Sequence, residues 1–157
     1  MRGELLRFSN GAALINDSYN SSPAALQAMT ELLTATPNFS RRILAAGEMR
    51  ELGKASPQLH REAGQFAAKT GKVDWIIGVA GHAEQIVEGA LATGFPRARA
   101  RFFATPQEAA EFLTDFIVSG DLLLVKGSRG VKMEQIVESL ITRHAAPGEI
   151  TSQEVRH

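Results

Sequence analysis

The residues best suited to chemistry sit in one short run, Lys126-Gly127-Ser128-Arg129-Gly130, directly after the aliphatic residues 122–125. Two cations and a hydroxyl on a glycine-bounded turn suit an anion, because backbone N–H groups are free there and a following helix adds the positive end of its dipole. The planar fork of Arg129 matches a carboxylate through two parallel hydrogen bonds, whereas Lys126 is a compact point charge. Taken alone, a plain turn with solvated cations explains the same residues. Other polar groups follow other apolar runs. Asp17 suits a ribose hydroxyl, a metal-bound water or an Asx-turn. Tyr19, the only tyrosine, suits a stacked base or a loop anchor. Asn20 shares that loop, and Glu48 suits an ammonium group or solvent. His82 reads as structural, with no partner acid assigned to it. His60 reads as a surface residue of a helix.

Placing these groups requires strands that end where the loops begin. Residues 4–8 and 12–15 flank Ser9-Asn10-Gly11, and an Asn-Gly pair between short apolar runs signals a hairpin. Pro23, preceded by Ser21 and Ser22, opens a helix with Leu26, Met29, Leu32 and Leu33 on one face. Residues 43–46 form the next strand, and Ser56-Pro57 starts a helix that runs to about Thr70. Residues 75–79 read as a strand and 83–93 as a helix; residues 100–103 read as a strand, followed by Thr105-Pro106-Gln107-Glu108, a Pro-first capping box. The uninterrupted apolar run at 122–125 reads as a strand buried on both faces, and residues 131–141 have helical spacing. Strands alternating with helices require crossovers, and so a mostly parallel sheet with helices on both faces. The expected fold is a Rossmann-like α/β domain in three layers. Its six-stranded sheet has five parallel strands and one antiparallel strand from the N-terminal hairpin. In that topology Asp17 to Asn20, Glu48, His82, Thr105 and the 126–129 turn all fall on one sheet edge, where open α/β sheets bind ligands. Residues 1–144 form the expected domain and 145–157 a flexible, polar tail.

Composition narrows the function. With 157 residues and a hydrophobic fraction of 44%, the chain can bury an aliphatic core. Lys plus Arg and Asp plus Glu both total 17, so no net charge recruits nucleic acid or an anionic membrane. Cysteine is absent, which excludes disulfides and thiolate metal sites. No apolar run approaches the roughly 20 residues that span a bilayer, and a cytoplasmic location is expected. No G-x-x-x-x-G-K-[ST], G-x-G-x-x-G or H-E-x-x-H motif occurs, so no phosphate cradle, dinucleotide fingerprint or catalytic metal site is expected. No self-sufficient reaction centre is visible.

Three motifs carry a resemblance. Asp17-Ser18-Tyr19-Asn20-Ser21-Ser22-Pro23 resembles the D-S-Y-N-x-x-P signature of the Mur ligases, specifically the MurF family. Gly47-Glu48-Met49-Arg50-Glu51-Leu52-Gly53 resembles that family's G-[DE]-M-x-E-L-G loop, with Glu48 where Asp is common. Lys126 to Glu134 resembles its K-G-S-R-x-x-x-M-E segment. The resemblance implies the C-terminal domain of an ATP-dependent ligase of peptidoglycan synthesis, and with it cell shape and division. The UDP-sugar domain and the central P-loop ATPase domain are not in this chain. It implies UDP-N-acetylmuramoyl-tripeptide and D-Ala-D-Ala as substrates, with ATP and Mg²⁺ bound mainly by the central domain, on which this domain would pack. By the same resemblance Asp17, Tyr19 and Asn20 face the nucleotide, and Lys126, Ser128, Arg129 and Glu48 face the dipeptide and acyl phosphate. No catalytic residue is expected in the isolated domain.

Two alternatives stand beside it. One is a related Mur-type ligase adding a different amino acid. The other is a phosphoacceptor receiver module, which Asp17 and Lys126 fit, although residues 78–82 offer no carboxylate to phosphorylate.

Overall fold

The computed structural model describes residues 4–144 in full and residues 151–154 as backbone. A hairpin opens the chain, β1 (Glu4–Arg7) and β2 (Ala13–Asp17), paired antiparallel. At its tip Asn10 Oδ1 accepts the Ala12 N–H at 3.0 Å and Gly11 adopts φ +90°, the left-handed turn geometry that an Asn-Gly pair favours. Then follow α1 (Pro23–Ala35), β3 (Arg41–Gly47), α2 (Ser56–Lys69), β4 (Trp75–Val79), α3 (Glu84–Ala92), β5 (Ala100–Phe103), α4 (Pro106–Phe116), β6 (Asp121–Lys126) and α5 (Glu134–His144). Helix starts follow local chemistry. Ser22 Oγ accepts the Ala25 N–H with Pro23 in the first turn, and Thr105 and Glu108 close a reciprocal capping box.

The sheet order is β5-β4-β3-β6-β2-β1-β7, where β7 (Thr151–Glu154) pairs antiparallel with β1. Strands β2 to β6 are mutually parallel. The six expected strands and their directions are therefore present. The seventh comes from residues 145–157, expected as a flexible tail; the rest of that stretch lies outside the described residues. Helices α1, α2 and α3 cover one face through Leu26, Leu33, Ala67, Ile86 and Ala90. On the other face, α4 and α5 pack Leu113, Ile136 and Leu140 against Leu123 and Val125. Every residue of β6 is buried, as its uninterrupted apolar run requires.

The start of the last helix departs from its expected place. The run from Val131 does not begin as an α-helix: Arg129–Val131 is a 3₁₀ turn, Lys132 is left-handed at φ +64°, and α5 starts at Glu134. Packing explains the delay. Val131 and Met133 are buried, and a Cβ on Gly127 would meet Met133 Cγ at 2.2 Å, so the turn folds back onto Met133 before the helix begins.

Candidate functional site: a crevice at the carboxyl ends of the strands

Strand order fixes where the site lies. The helix after β6 packs on one face, while the helices after its neighbours β2 and β3 pack on the other. The loops leaving these three strands therefore diverge, and a crevice opens beyond their carboxyl ends. A cavity of about 500 Å³ occupies it, lined by Asn20, Ser21, Arg50, Glu51, Ser128, Arg129 and Gly130. All three motif loops contribute to that lining. A smaller cleft of about 140 Å³ lies between α1 and α2, lined largely by apolar residues such as Leu26, Leu59 and Phe66.

Beneath the cavity, the parallel register sets Asp17 opposite Lys126. Lys126 Nζ donates to Asp17 Oδ2 at 2.8 Å and to the Asn20 carbonyl at 2.6 Å. Both side chains are almost wholly buried, at 4% and 5% exposure. Such a pair survives burial because its geometry is close and a second lysine N–H is also used. It ties the loop after β2 to the end of β6. Asp17 and Lys126, which the sequence assigns to two different ligand groups, thus contact each other first.

Above this pair the wall is cationic. The Arg129 side chain is exposed and makes no hydrogen bond or ion pair with any described residue. Ser128 is buried, and its Oγ accepts the Arg50 N–H at 3.2 Å, which joins the turn after β6 to the loop after β3. Arg50 Nε lies 3.2 Å from Glu48 Oε1. Glu48 Oε2 also accepts the His82 N–H at 2.8 Å. This approach requires glycine before His82: Gly81 has φ +47°, and a Cβ there would lie 2.1 Å from Glu48 Oε2. Ser21 Oγ is buried without a hydrogen-bond partner among the described residues. Tyr19 is 46% exposed on the loop after β2 and is not a buried anchor. Backbone strain gathers at the same edge, where the non-glycine residues Glu51, Ala80 and Lys132 all have positive φ.

The histidines need correction. His60 is fully buried, not on the surface: Nε2 accepts the Met49 N–H at 2.8 Å and Nδ1 lies 2.7 Å from the Ser56 carbonyl. Burial lowers its pKa below the ordinary value. His82 does have an acid nearby in space, Glu48 at 3.9 Å, and its Nδ1 lies 2.8 Å from Ser56 Oγ. Thr105 is occupied by its capping box. The sequence reading missed Arg50, Ser21 and His60. Arg50 falls at the variable position of its motif, and the burial of His60 shows only as the helical phase it shares with Ala63 and Ala67.

Residues 1–129 match the protein family described as Mur ligase, glutamate ligase domain. The chain belongs to the Mur ligase family. It is 33% identical over 141 residues to the UDP-N-acetylmuramoyl-tripeptide–D-alanyl-D-alanine ligase of Bacillus subtilis, covering 90% of this chain and 30% of that protein. The ligase of the same name from Rickettsia prowazekii is 31% identical, over 87% of this chain and 29% of its own. Among solved structures, MurF from Acinetobacter baumannii superposes with a TM-score of 0.74 at 27% identity, over 87% of this chain and 30% of that one. MurF from Thermotoga maritima in complex with ADP gives 0.69 at 26% identity, over 88% and 30%. The chain thus spans about 30% of the length of these Mur ligases. Family membership sets aside the receiver alternative, and β4 ends at Val79 and leads into Ala80 and Gly81 with no carboxylate.

Proposed function

We propose that this chain is the C-terminal domain of an ATP-dependent ligase that joins D-Ala-D-Ala to UDP-N-acetylmuramoyl-tripeptide in cytoplasmic assembly of the peptidoglycan precursor. The observation that carries it is the convergence of all three motif loops on one cationic crevice. The names of the Bacillus and Rickettsia relatives support the choice of acceptor. Residues 1–144 form the domain, and the UDP-sugar and P-loop ATPase domains belong to other parts of the natural protein.

In this reading Tyr19 and Asn20 face the nucleotide, and Asp17 backs them through Lys126. Ser128 and Arg129 face the carboxylate of the incoming dipeptide or the acyl phosphate, with Glu48 alongside. Phosphorylation of the tripeptide carboxylate makes it an acyl phosphate, and the dipeptide amine attacks that carbonyl. The contribution of this domain is to hold the amine's carrier in line, which converts a bimolecular encounter into a positioned one. Among the described residues no group of three or more His, Asp or Glu side chains is placed to hold a metal ion. In this reading Mg²⁺ is bound with the ATP phosphates mainly by the central ATPase domain. No helix among the described residues is long and apolar enough to cross a membrane.

The test is ADP release by the full-length protein with ATP, UDP-N-acetylmuramoyl-tripeptide and a panel of acceptors. D-Ala-D-Ala is expected to drive turnover, and the isolated chain to give none. Preference for a single amino acid would transfer the reading to another Mur-type ligase. ATP turnover by the isolated chain would contradict the division of labour between domains.

A further inference from the structure

Arg50 stands on a loop that is fixed from behind by a buried imidazole. The Met49 N–H can only donate, so His60 Nε2 carries the lone pair, and Nδ1 carries the proton that meets the Ser56 carbonyl. The geometry thus selects one neutral tautomer. Beyond Met49, Arg50 is held at its backbone N–H and at Nε, with its guanidinium beside Gly130. Its N–H donates to Ser128 Oγ, its Nε pairs with Glu48, and its guanidinium carbon lies 3.6 Å from where a Cβ on Gly130 would be. The ion pair is made at Nε, and neither terminal nitrogen hydrogen-bonds to a described residue. The Arg129 side chain and Ser21 Oγ, both without partners among the described residues, line the same cavity.

We propose that His60 is a positioning residue that holds residues 49–51 so that Arg50 joins Arg129 in clamping one ligand carboxylate. The inference rests on the acceptor reading above and adds a second cation to it. Two forked donors and a free hydroxyl match the several lone pairs of a carboxylate. Glu51 lines the same cavity, so a ligand with an ammonium end is favoured over a bare phosphate. A zwitterionic peptide meets both conditions.

The experiment titrates D-Ala-D-Ala into the ¹⁵N-labelled chain and reads the amide shifts of Arg50, Ser128 and Arg129. Arg50→Ala and His60→Leu should each weaken binding by roughly tenfold, the scale of one charge-assisted hydrogen bond. The double variant should bind no more weakly than Arg50→Ala alone, because His60 acts through Arg50. His60→Gln, which keeps an acceptor for the Met49 N–H, should retain affinity within a few-fold and serves if His60→Leu folds poorly. D-Ala-D-alaninamide, which lacks the carboxylate, should be insensitive to both substitutions. Wild-type affinity in both His60 variants, or losses that add in the double variant, would overturn the role of His60 and leave the acceptor reading intact. Absence of saturable wild-type binding at millimolar dipeptide overturns the acceptor reading and this inference with it.

Discussion

Strand β6 carries a cation–carboxylate pair at each end, and the two ends differ in what is left over. At its start, Asp121 binds Arg41 through both oxygens, at 2.8 and 2.6 Å, and also accepts the Val118 N–H at 2.9 Å. Arg41 spends a further donor on the Phe116 carbonyl and lies 4.2 Å from the centroid of the Phe116 ring. The hydrogen bonds that Arg41 donates to Asp121 raise its pKa above the ordinary value. At this end each charge has a partner in the protein. At the other end Lys126 is paired with Asp17, but three residues later the Arg129 side chain has no partner among the described residues, and Arg50 and Ser21 face the same space. Residue type therefore does not separate structural from ligand-facing charges here. Unspent hydrogen-bonding capacity beside a cavity does.

The comparison is sharpest within the 126–129 turn. Lys126→Ala leaves the Asp17 carboxylate buried and uncompensated, and should destabilise the domain by about 3–5 kcal/mol. Arg129→Ala should change stability by less than about 0.5 kcal/mol, as expected for an exposed, unpartnered side chain. Urea denaturation of both variants checks this, and equal losses would erase the distinction between the two cations. At the opposite end, Asp121→Asn should cost about 1–3 kcal/mol, since Arg41 is partly exposed and keeps an oxygen acceptor. A loss of ligand affinity in Asp121→Asn at unchanged fold would break the assignment of that end to stability alone.

The smallest effect concerns pH. His60 is neutral in the folded state and its folded pKa lies below the ordinary 6.5, so the unfolded chain binds more protons in the interval between the two. Stability from this site is complete above about pH 6.5 and is lost as pH falls through that interval. Glu48 acts against this shift and His82 with it. Denaturation midpoints should therefore fall more steeply below pH 6.5 in the wild type than in His60→Gln. Parallel profiles would mean that His60 does not titrate in the folded domain.

The fold was legible because each element carries its own local signal. The Asn10-Gly11 hairpin, the Pro-first helices and the apolar run before Lys126 each have one dominant structural solution. The three motif loops were legible for the same reason, lying between elements of clear type. The cavity wall was not. Arg50 becomes part of it only because β3 and β6 are neighbours, an order that no local pattern specifies. The burial of His60 depends on the loop after β3 folding over α2, and Glu48 meets His82 only across two strands. The delayed start of α5 follows from Met133 filling the space under Gly127, a tertiary contact that overrides helical periodicity.

The most direct test of the acceptor site is steady-state kinetics of the full-length ligase, varying D-Ala-D-Ala at saturating ATP. Truncating one partner of a desolvated charge-assisted pair costs roughly 2–5 kcal/mol. Arg129→Ala should accordingly lower kcat/KM for the dipeptide by at least ~30-fold. Arg129→Lys should fall between, since it keeps the charge and loses the fork, and both variants should melt within a few degrees of wild type. Wild-type kinetics in Arg129→Ala would reduce the turn after β6 to a plain connection between strand and helix.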